Sequence, residues 1–174
     1  DHRTVAKLPQ FFEQLFVYEI TVKEDYYARG KRGIVRREGD VAIKEPRYSN
    51  TLKIEAEMLS IVNGYGIGPK FIKYDGKLYM EFVDGLLIEE YVLNACKDDV
   101  LGVVLQVLDQ CRTLDKIKID KKEMNHPRKH IIVRDDKPVL VDFERARKIE
   151  KPKNVTQFVQ YLLSRNFSEL LKQK

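Results

Sequence analysis

Tryptophan is absent and cysteine occurs only twice, as Cys96 and Cys111, which excludes a disulfide framework and a cysteine-rich metal site. Both cysteines fall in stretches of helical spacing and are expected as small core residues in helices of a protein kept in a reducing compartment. No apolar stretch reaches the roughly 18 to 20 residues that cross a membrane, and no signal peptide is visible, so the expectation is a cytoplasmic protein without membrane contact. The three histidines show no tetrahedral ligand spacing with the cysteines. Repeats, low-complexity tracts and flexible linkers are also missing. Charge is abundant: Asp, Glu, Lys and Arg make up 34% of the chain, and 32 Lys and Arg against 27 Asp and Glu leave a net +5. At 174 residues the chain can form one folding unit with a proper core and two lobes, but not a second independent domain.

Val41-Ala42-Ile43-Lys44 is a short apolar strand ending in lysine, and the apolar run Pro138-Val139-Leu140-Val141 ends in Asp142-Phe143-Glu144. A strand lysine followed much later by a carboxylate at a strand end outlines a nucleotide-phosphate site: the lysine pairs with phosphate oxygens, and the carboxylate holds the metal that bridges them. Upstream, Gly30 and Gly33 within Ala28-Arg29-Gly30-Lys31-Arg32-Gly33-Ile34-Val35 allow a hairpin backbone to approach phosphate oxygens without a Cβ in the way. No helical pattern follows Gly33, so this is not a dinucleotide-binding turn. Gly64-Tyr65-Gly66-Ile67-Gly68 lies between a helix and Pro69 and reads as a connecting loop.

Leu52 to Val62 carries a helical apolar face, read as Leu52, Leu59 and Val62 with Ile54, Met58 and Ile61. Glu55 on this helix is placed to pair with Lys44, with Glu57 as the alternative. Phe71 to Tyr74 and Leu78 to Val83 read as two strands around an Asp75-Gly76 turn, with the second stopping at Asp84-Gly85. His126-Pro127-Arg128-Lys129-His130 precedes the Ile131-Ile132-Val133 strand.

On these motifs, residues 25 to 150 resemble a minimal kinase of the RIO and KEOPS-associated type, common in archaea. Within that group the chain is similar to small archaeal kinases marked by an H-P-x-K-H segment before D-F-E. Relatives of this kind include an archaeal RNA kinase that phosphorylates a ribose 2′-hydroxyl in tRNA. The resemblance implies an α+β, minimal bilobal protein-kinase-like fold, with an antiparallel-sheet N-lobe over 1–83 and a truncated helical C-lobe over 84–174. It implies an ATP site formed by Gly30, Lys31, Gly33, Val35, Ala42, Lys44, Glu55, Met80, Glu81 and Val83, with Met80 at the gate and backbone groups of Glu81 and Val83 facing the base. It places Mg²⁺ on Asp142, with Mn²⁺ as a possible substitute, and it implies tRNA as the substrate, with no obligate protein partner.

The chain departs from that pattern in its catalytic loop. No H-x-D-x-x-x-x-N segment is present. If His130 fills the asparagine position, the ungapped base position is Asn125, an amide that accepts no proton. If the loop is two residues longer, Lys122-Glu123-Met124 takes that place and Glu123 becomes the base, its extra methylene helping it reach a hydroxyl. Asp120 is a third candidate. His130 has three open roles. It can be a ligand, for which neutral imidazole suits Mn²⁺ or Zn²⁺ better than Mg²⁺, a hydrogen-bond donor to phosphate, or a loop brace. Glu144 replaces the usual glycine and removes the backbone freedom of a mobile D-F-G segment. It also offers a second carboxylate near the metal.

Only residues 143–174 follow Asp142, with no A-P-E segment and no long helical platform for docking peptides. Val155 to Leu171 reads as one amphipathic helix with Val155, Phe158, Val159, Leu162, Leu163 and Leu170 inward. Asp98 to Leu114 reads as the main C-lobe helix with Leu101, Val104, Leu105 and Leu108 buried, and Leu8 to Val17 as an N-terminal helix packed on the sheet. Basic residues cluster as Arg29, Lys31, Arg32, Arg36 and Arg37, then Lys121, Lys122, Arg128 and Lys129, then Arg145, Arg147 and Lys148. Three such clusters around one cleft would hold a polyanion mostly through its phosphates. The expected function is ATP-dependent phosphoryl transfer to a tRNA ribose 2′-hydroxyl. A RIO-like protein serine/threonine kinase and a nucleotide-binding pseudokinase are the alternatives.

Overall fold

The computed structural model describes residues 27–29, 33–46 and 51–172. The expected helix over Leu8 to Val17 and the hairpin tip with Gly30, Lys31 and Arg32 lie outside the described residues.

Strands β1 (Tyr27–Arg29), β2 (Gly33–Glu38), β3 (Val41–Pro46), β4 (Phe71–Tyr74) and β5 (Leu78–Glu81) form one antiparallel sheet in the order β1-β2-β3-β5-β4. β2 and β3 join through Gly39-Asp40, where Gly39 takes φ +58°, and β4 and β5 join through a turn with Gly76 at φ +97°. A Cβ is disfavoured at such angles, so glycine fits both bends. Helix α1 (Thr51–Val62) packs across this sheet with Leu52, Ala56, Met58, Leu59 and Val62 buried. Ile54, expected on that face, is 42% exposed, and the position that joins the stripe at helical spacing is Glu55.

The chain then runs through β6 (Leu86–Leu87), α2 (Ile88–Asn94), α3 (Lys97–Lys116), β7 (Ile119–Asp120), β8 (Ile131–Arg134), β9 (Lys137–Leu140), β10 (Arg147–Lys148), α4 (Asn154–Leu162) and α5 (Arg165–Lys172). β6, β8 and β9 form a small antiparallel sheet, and β7 pairs with β10. The result is α+β, with an antiparallel-sheet N-terminal part and a helical C-terminal part. No helix among the described residues is long and apolar enough to cross a membrane.

Three further sequence expectations are corrected. α3 buries Val100, Val103, Val107, Cys111 and Leu114, while Leu101 and Leu105 are more than half exposed. Leu-Gly-Val-Val-Leu-Gln-Val-Leu offers two apolar stripes, and packing against β9 and α4 selects the valine stripe. The terminal helix is two helices, broken at Leu163-Ser164. Ser164 Oγ accepts the Phe167 N–H and starts α5, which leaves Val159 and Leu163 facing outward. Cys96 is exposed and immediately precedes α3, where its sulfur accepts the Asp99 N–H, whereas Cys111 is buried as expected.

Gly85 lies where the chain leaves the five-stranded sheet for β6. A Cβ there would fall against the Val133 carbonyl and Ile132 Cγ2, whereas nothing lies within 4 Å of a Cβ at Gly64. Gly85→Ala is expected to lower stability by about 1–3 kcal/mol, measured as a drop in Tm. Gly64→Ala should leave Tm nearly unchanged, and equal Tm values for the two variants would contradict this contact.

Candidate active site

Lys44 stands on β3 in register with Val35 on β2 and Leu78 on β5, on the sheet face that α1 covers. Its Nζ donates to both oxygens of Glu55, at 2.8 and 2.9 Å. Glu55 is fully buried, so an ammonium beside it is what makes its charge tolerable. Glu55 Oε1 also accepts the Phe143 N–H at 3.3 Å, which joins α1 to the Asp-Phe-Glu segment. Phe143 is fully buried, and its ring packs beside Gly68, where a Cβ would lie 3.2 Å from it.

Asp142 follows β9 with φ +64°, and Val141 N–H donates to the His130 carbonyl. This backbone turn brings its carboxylate to 3.8 Å from Lys44 Nζ. Burial works against both charges. At Lys44 it is outweighed by Glu55 and then Asp142, which hold the ammonium above its ordinary range. At Asp142 it is outweighed by Lys44, then Lys121, which hold the carboxyl below its ordinary range. Asp142 Oδ1 is nonetheless buried without a hydrogen-bond partner, as is His130 Nδ1. His130 Nδ1 lies 4.0 Å from Asp142 Oδ2, and His130 Nε2 lies 3.5 Å from Glu123 Oε2. Burial pushes the imidazole down to about 4, helped by Lys121, so it is neutral at physiological pH.

Among the catalytic-loop candidates, Glu123 is the one set against His130, and Arg145 Nη1 grips its other oxygen at 2.6 Å. Asn125 is exposed on the same rim. Asp120 is buried and engaged with Lys122 Nζ at 2.5 Å, a bracing position rather than one facing the cleft. Lys122 and Glu123 both adopt left-handed backbone, at φ +70° and +59°, which costs about 1–2 kcal/mol each. The sequence gives no signal for what holds this conformation. Asn154, at the start of α4, is fully buried, accepts the Lys121 N–H, and donates to Asp115 Oδ1 and the Ile119 carbonyl. Gln157 Oε1 accepts the Met124 N–H. Asp115 completes the arrangement by accepting the Asn154 and Val155 N–H groups, which caps α4 from α3.

The basic clusters are less available than the sequence suggests. Lys121, assigned to RNA contact, is 1% exposed. Its Nζ donates to the Asp142 carbonyl at 3.3 Å and lies 5.1 Å from the Phe143 ring centroid. Arg128 pairs with Glu89, Arg36 approaches Glu45, and Arg37 stacks on Phe82 and reaches Asp84 beyond the β2–β3 turn. Lys122, Lys129, Arg145 and Arg147 remain on the surface or cleft rim. The Arg29 side chain, like Lys31 and Arg32, is outside the described residues.

In the nucleotide set, Ala42 and Met80 are directly paired across β3 and β5 and are both buried, with Val35 half-buried on β2. The Glu81 N–H is taken by the Lys70 carbonyl, whereas Val83 makes no hydrogen bond to any described residue. No cluster of three potential metal ligands occurs among the described residues. Asp142 Oδ1, buried and without a hydrogen bond, fits Mg²⁺, which needs only one or two protein carboxylates when substrate phosphates and water complete its shell. His130 is a poor ligand for that ion.

No family model matches the sequence. An uncharacterized protein of Methanocaldococcus jannaschii, MJ1211, is 34% identical over 77 residues, which are 44% of this chain and 66% of that protein. Among solved structures, the Rio2 kinase of Chaetomium thermophilum, in an ADP/Mg²⁺-phosphoaspartate complex, matches with TM-score 0.62 and 13% identity. That match covers 90% of this chain, which spans 62% of the Rio2 chain. APH(2″)-IIa, in a ternary complex with streptomycin and ATP, matches with TM-score 0.58 and 10% identity over 89% of this chain and 81% of its own. The chain therefore has a RIO and protein-kinase-like fold.

Burial pushes Lys121 down to about 8 from its ordinary 10.5, against the pull of Asp142, Glu123 and Glu55. The unfolded chain then binds more protons than the folded one between those two values, and this group makes stability rise with pH across that window. Lys121→Met should therefore gain stability relative to the parent near pH 7, with the gain shrinking toward pH 10. Thermal unfolding of both proteins across this range checks it; a pH-independent difference would contradict the buried ammonium.

Proposed function

We propose that this protein is an ATP-dependent kinase that transfers the γ-phosphoryl group to an RNA hydroxyl, a tRNA ribose 2′-hydroxyl. The observation that carries the reading is the Lys44 ammonium held between Glu55 and Asp142, with Asp142 Oδ1, the oxygen 3.8 Å from Lys44, buried and without a hydrogen bond. A buried carboxylate oxygen whose hydrogen-bonding capacity is unused favours a ligand that brings a cation of its own. The kinase-like fold, shared with a complex holding ADP/Mg²⁺ and another holding ATP, supports the same conclusion.

In this reading, Lys44 pairs with the α- and β-phosphates and Glu55 fixes its position. Ala42, Val35 and Met80 line the base, and Val83 offers its free N–H to it. The resemblance assigns cover over the phosphates to the glycine segment of Gly30 and Gly33. Asp142 would hold Mg²⁺, which supplies charge neutralisation across the phosphate oxygens. Glu123 receives the acceptor hydroxyl and takes its proton. Its main task is to orient the hydroxyl, because phosphoryl transfer through a loose transition state demands little proton removal early. Neutral His130, beside both Glu123 and Asp142, donates to a phosphate oxygen. The RNA assignment draws on the resemblance to archaeal RNA kinases and on the cationic rim of Lys122, Lys129, Arg145 and Arg147.

The test is incubation with γ-labelled ATP, Mg²⁺ and either total tRNA or a generic protein acceptor. Lys44→Ala and Asp142→Ala are expected to reduce labelling of tRNA at least a thousandfold, and Glu123→Gln by about 10²–10⁴-fold, in the range of general-base catalysis. Label on protein alone would replace this reading with a RIO-like protein kinase. Tight ATP binding without any transfer would favour a pseudokinase. Full activity of Glu123→Gln would remove Glu123 from the base position.

A further inference from the structure

Beside Glu123, a shallow pocket is lined by Lys122, Asn125, Arg145, Arg147 and Gln157. Its charges are unequally committed. Lys122 is neutralised from below by buried Asp120, and Arg145 by Glu123, the sixth lining residue. Arg147, exposed on β10, makes no ion pair with any described residue, and the Asn125 side chain makes no hydrogen bond to one. Gln157 is occupied in holding the loop through Met124. Two groups therefore face the pocket with unused donors, a guanidinium and an amide, and the remaining N–H groups of Arg145 adjoin them. A planar guanidinium with an adjacent amide donor suits a tetrahedral oxyanion.

The pocket shares Glu123 with the proposed transfer site. On a ribose, the 2′-hydroxyl and the 3′-phosphate occupy neighbouring carbons, so a sugar that points its hydroxyl at Glu123 carries its own phosphate into the space beside it. A serine or threonine side chain brings no such group. We propose that this pocket seats the phosphodiester next to the acceptor ribose, so that the acceptor is an internal nucleotide of an RNA strand and not a free nucleoside or a protein side chain. The inference rests on the transfer reading above and names its substrate class. It assigns Arg147 and Asn125 to that phosphate, Arg145 to both the phosphate and Glu123, and leaves Gln157 as a positioning residue for the loop.

The test uses the full chain with a fluorescein-labelled, mixed-sequence single-stranded oligoribonucleotide, read by anisotropy over a series of salt concentrations, alongside transfer from γ-labelled ATP to the same RNA. Arg147→Gln should weaken binding about five- to tenfold and lower the slope of log affinity against log salt by about one, while Arg147→Lys keeps the slope. The same oligomer with methylphosphonate linkages should bind weakly, and equally to parent and Arg147→Gln. Free nucleosides should remain unlabelled. Circular dichroism and Tm confirm that Arg147→Gln is folded, as expected for an exposed side chain. If the parent labels RNA but Arg147→Gln matches it in affinity and slope, or the methylphosphonate oligomer binds as tightly as the phosphodiester, the pocket assignment is overturned and the transfer reading stands. If the parent, offered a generic protein acceptor beside this RNA, labels only the protein, both are overturned.

Discussion

The buried contact between Lys44 and Glu55 is what the rest of the site depends on. One carboxylate, fully removed from water, binds an ammonium from β3 and a backbone N–H from Phe143 while riding on the apolar face of α1. Sheet, helix and Asp-Phe-Glu segment therefore meet at a single charged group. Desolvating that carboxylate costs several kcal/mol, and removing its lysine would leave the charge buried alone, at about 3–5 kcal/mol. Loss of either partner should disturb the fold as well as the phosphate site. For that reason, Asp142, whose Oδ1 supports no internal hydrogen bond, separates function from stability more cleanly than Glu55 does.

A second constraint lies under the catalytic loop. Lys122 and Glu123 remain in left-handed backbone only because their surroundings over-determine them. Asp120 grips Lys122, Asn154 takes the Lys121 N–H, and Gln157 takes the Met124 N–H. Lys121 then spans from this loop to the Asp142 carbonyl as a buried cation. The loop that carries Glu123 and the turn that carries Asp142 are thus fastened to each other and to α4, which gives the cleft a fixed floor.

The parts legible in the sequence were those set by local pattern. Val41 to Lys44, the Asp75-Gly76 turn, the helix carrying Glu55 and the strand leading to Asp142 each have a period or a turn residue that restricts them to one structure. The α+β fold class followed from the kinase resemblance that these motifs carry. The parts that were not legible depended on packing between distant elements. α3 has two apolar stripes, and only its neighbours choose between them. Only a lone serine, Ser164, marks the break after Leu163 within an otherwise helical pattern, too little on its own to divide the helix. Lys121 reads as one more surface cation, and its burial depends on Asp142, Phe143 and Asn154, all at least twenty residues away. Asn154 and Gln157 gave no signal, because an amide on a helix looks solvated until the loop it serves is in place.

The central claim is that Asp142 is the carboxylate through which a metal meets the nucleotide. Calorimetric titration of ATP into the parent and into Asp142→Asn, with and without Mg²⁺, tests it most directly, because asparagine keeps the shape and removes the charge. The account predicts that Mg²⁺ tightens ATP binding to the parent and has little effect on binding to Asp142→Asn. The same Mg²⁺ enhancement in both proteins would contradict it.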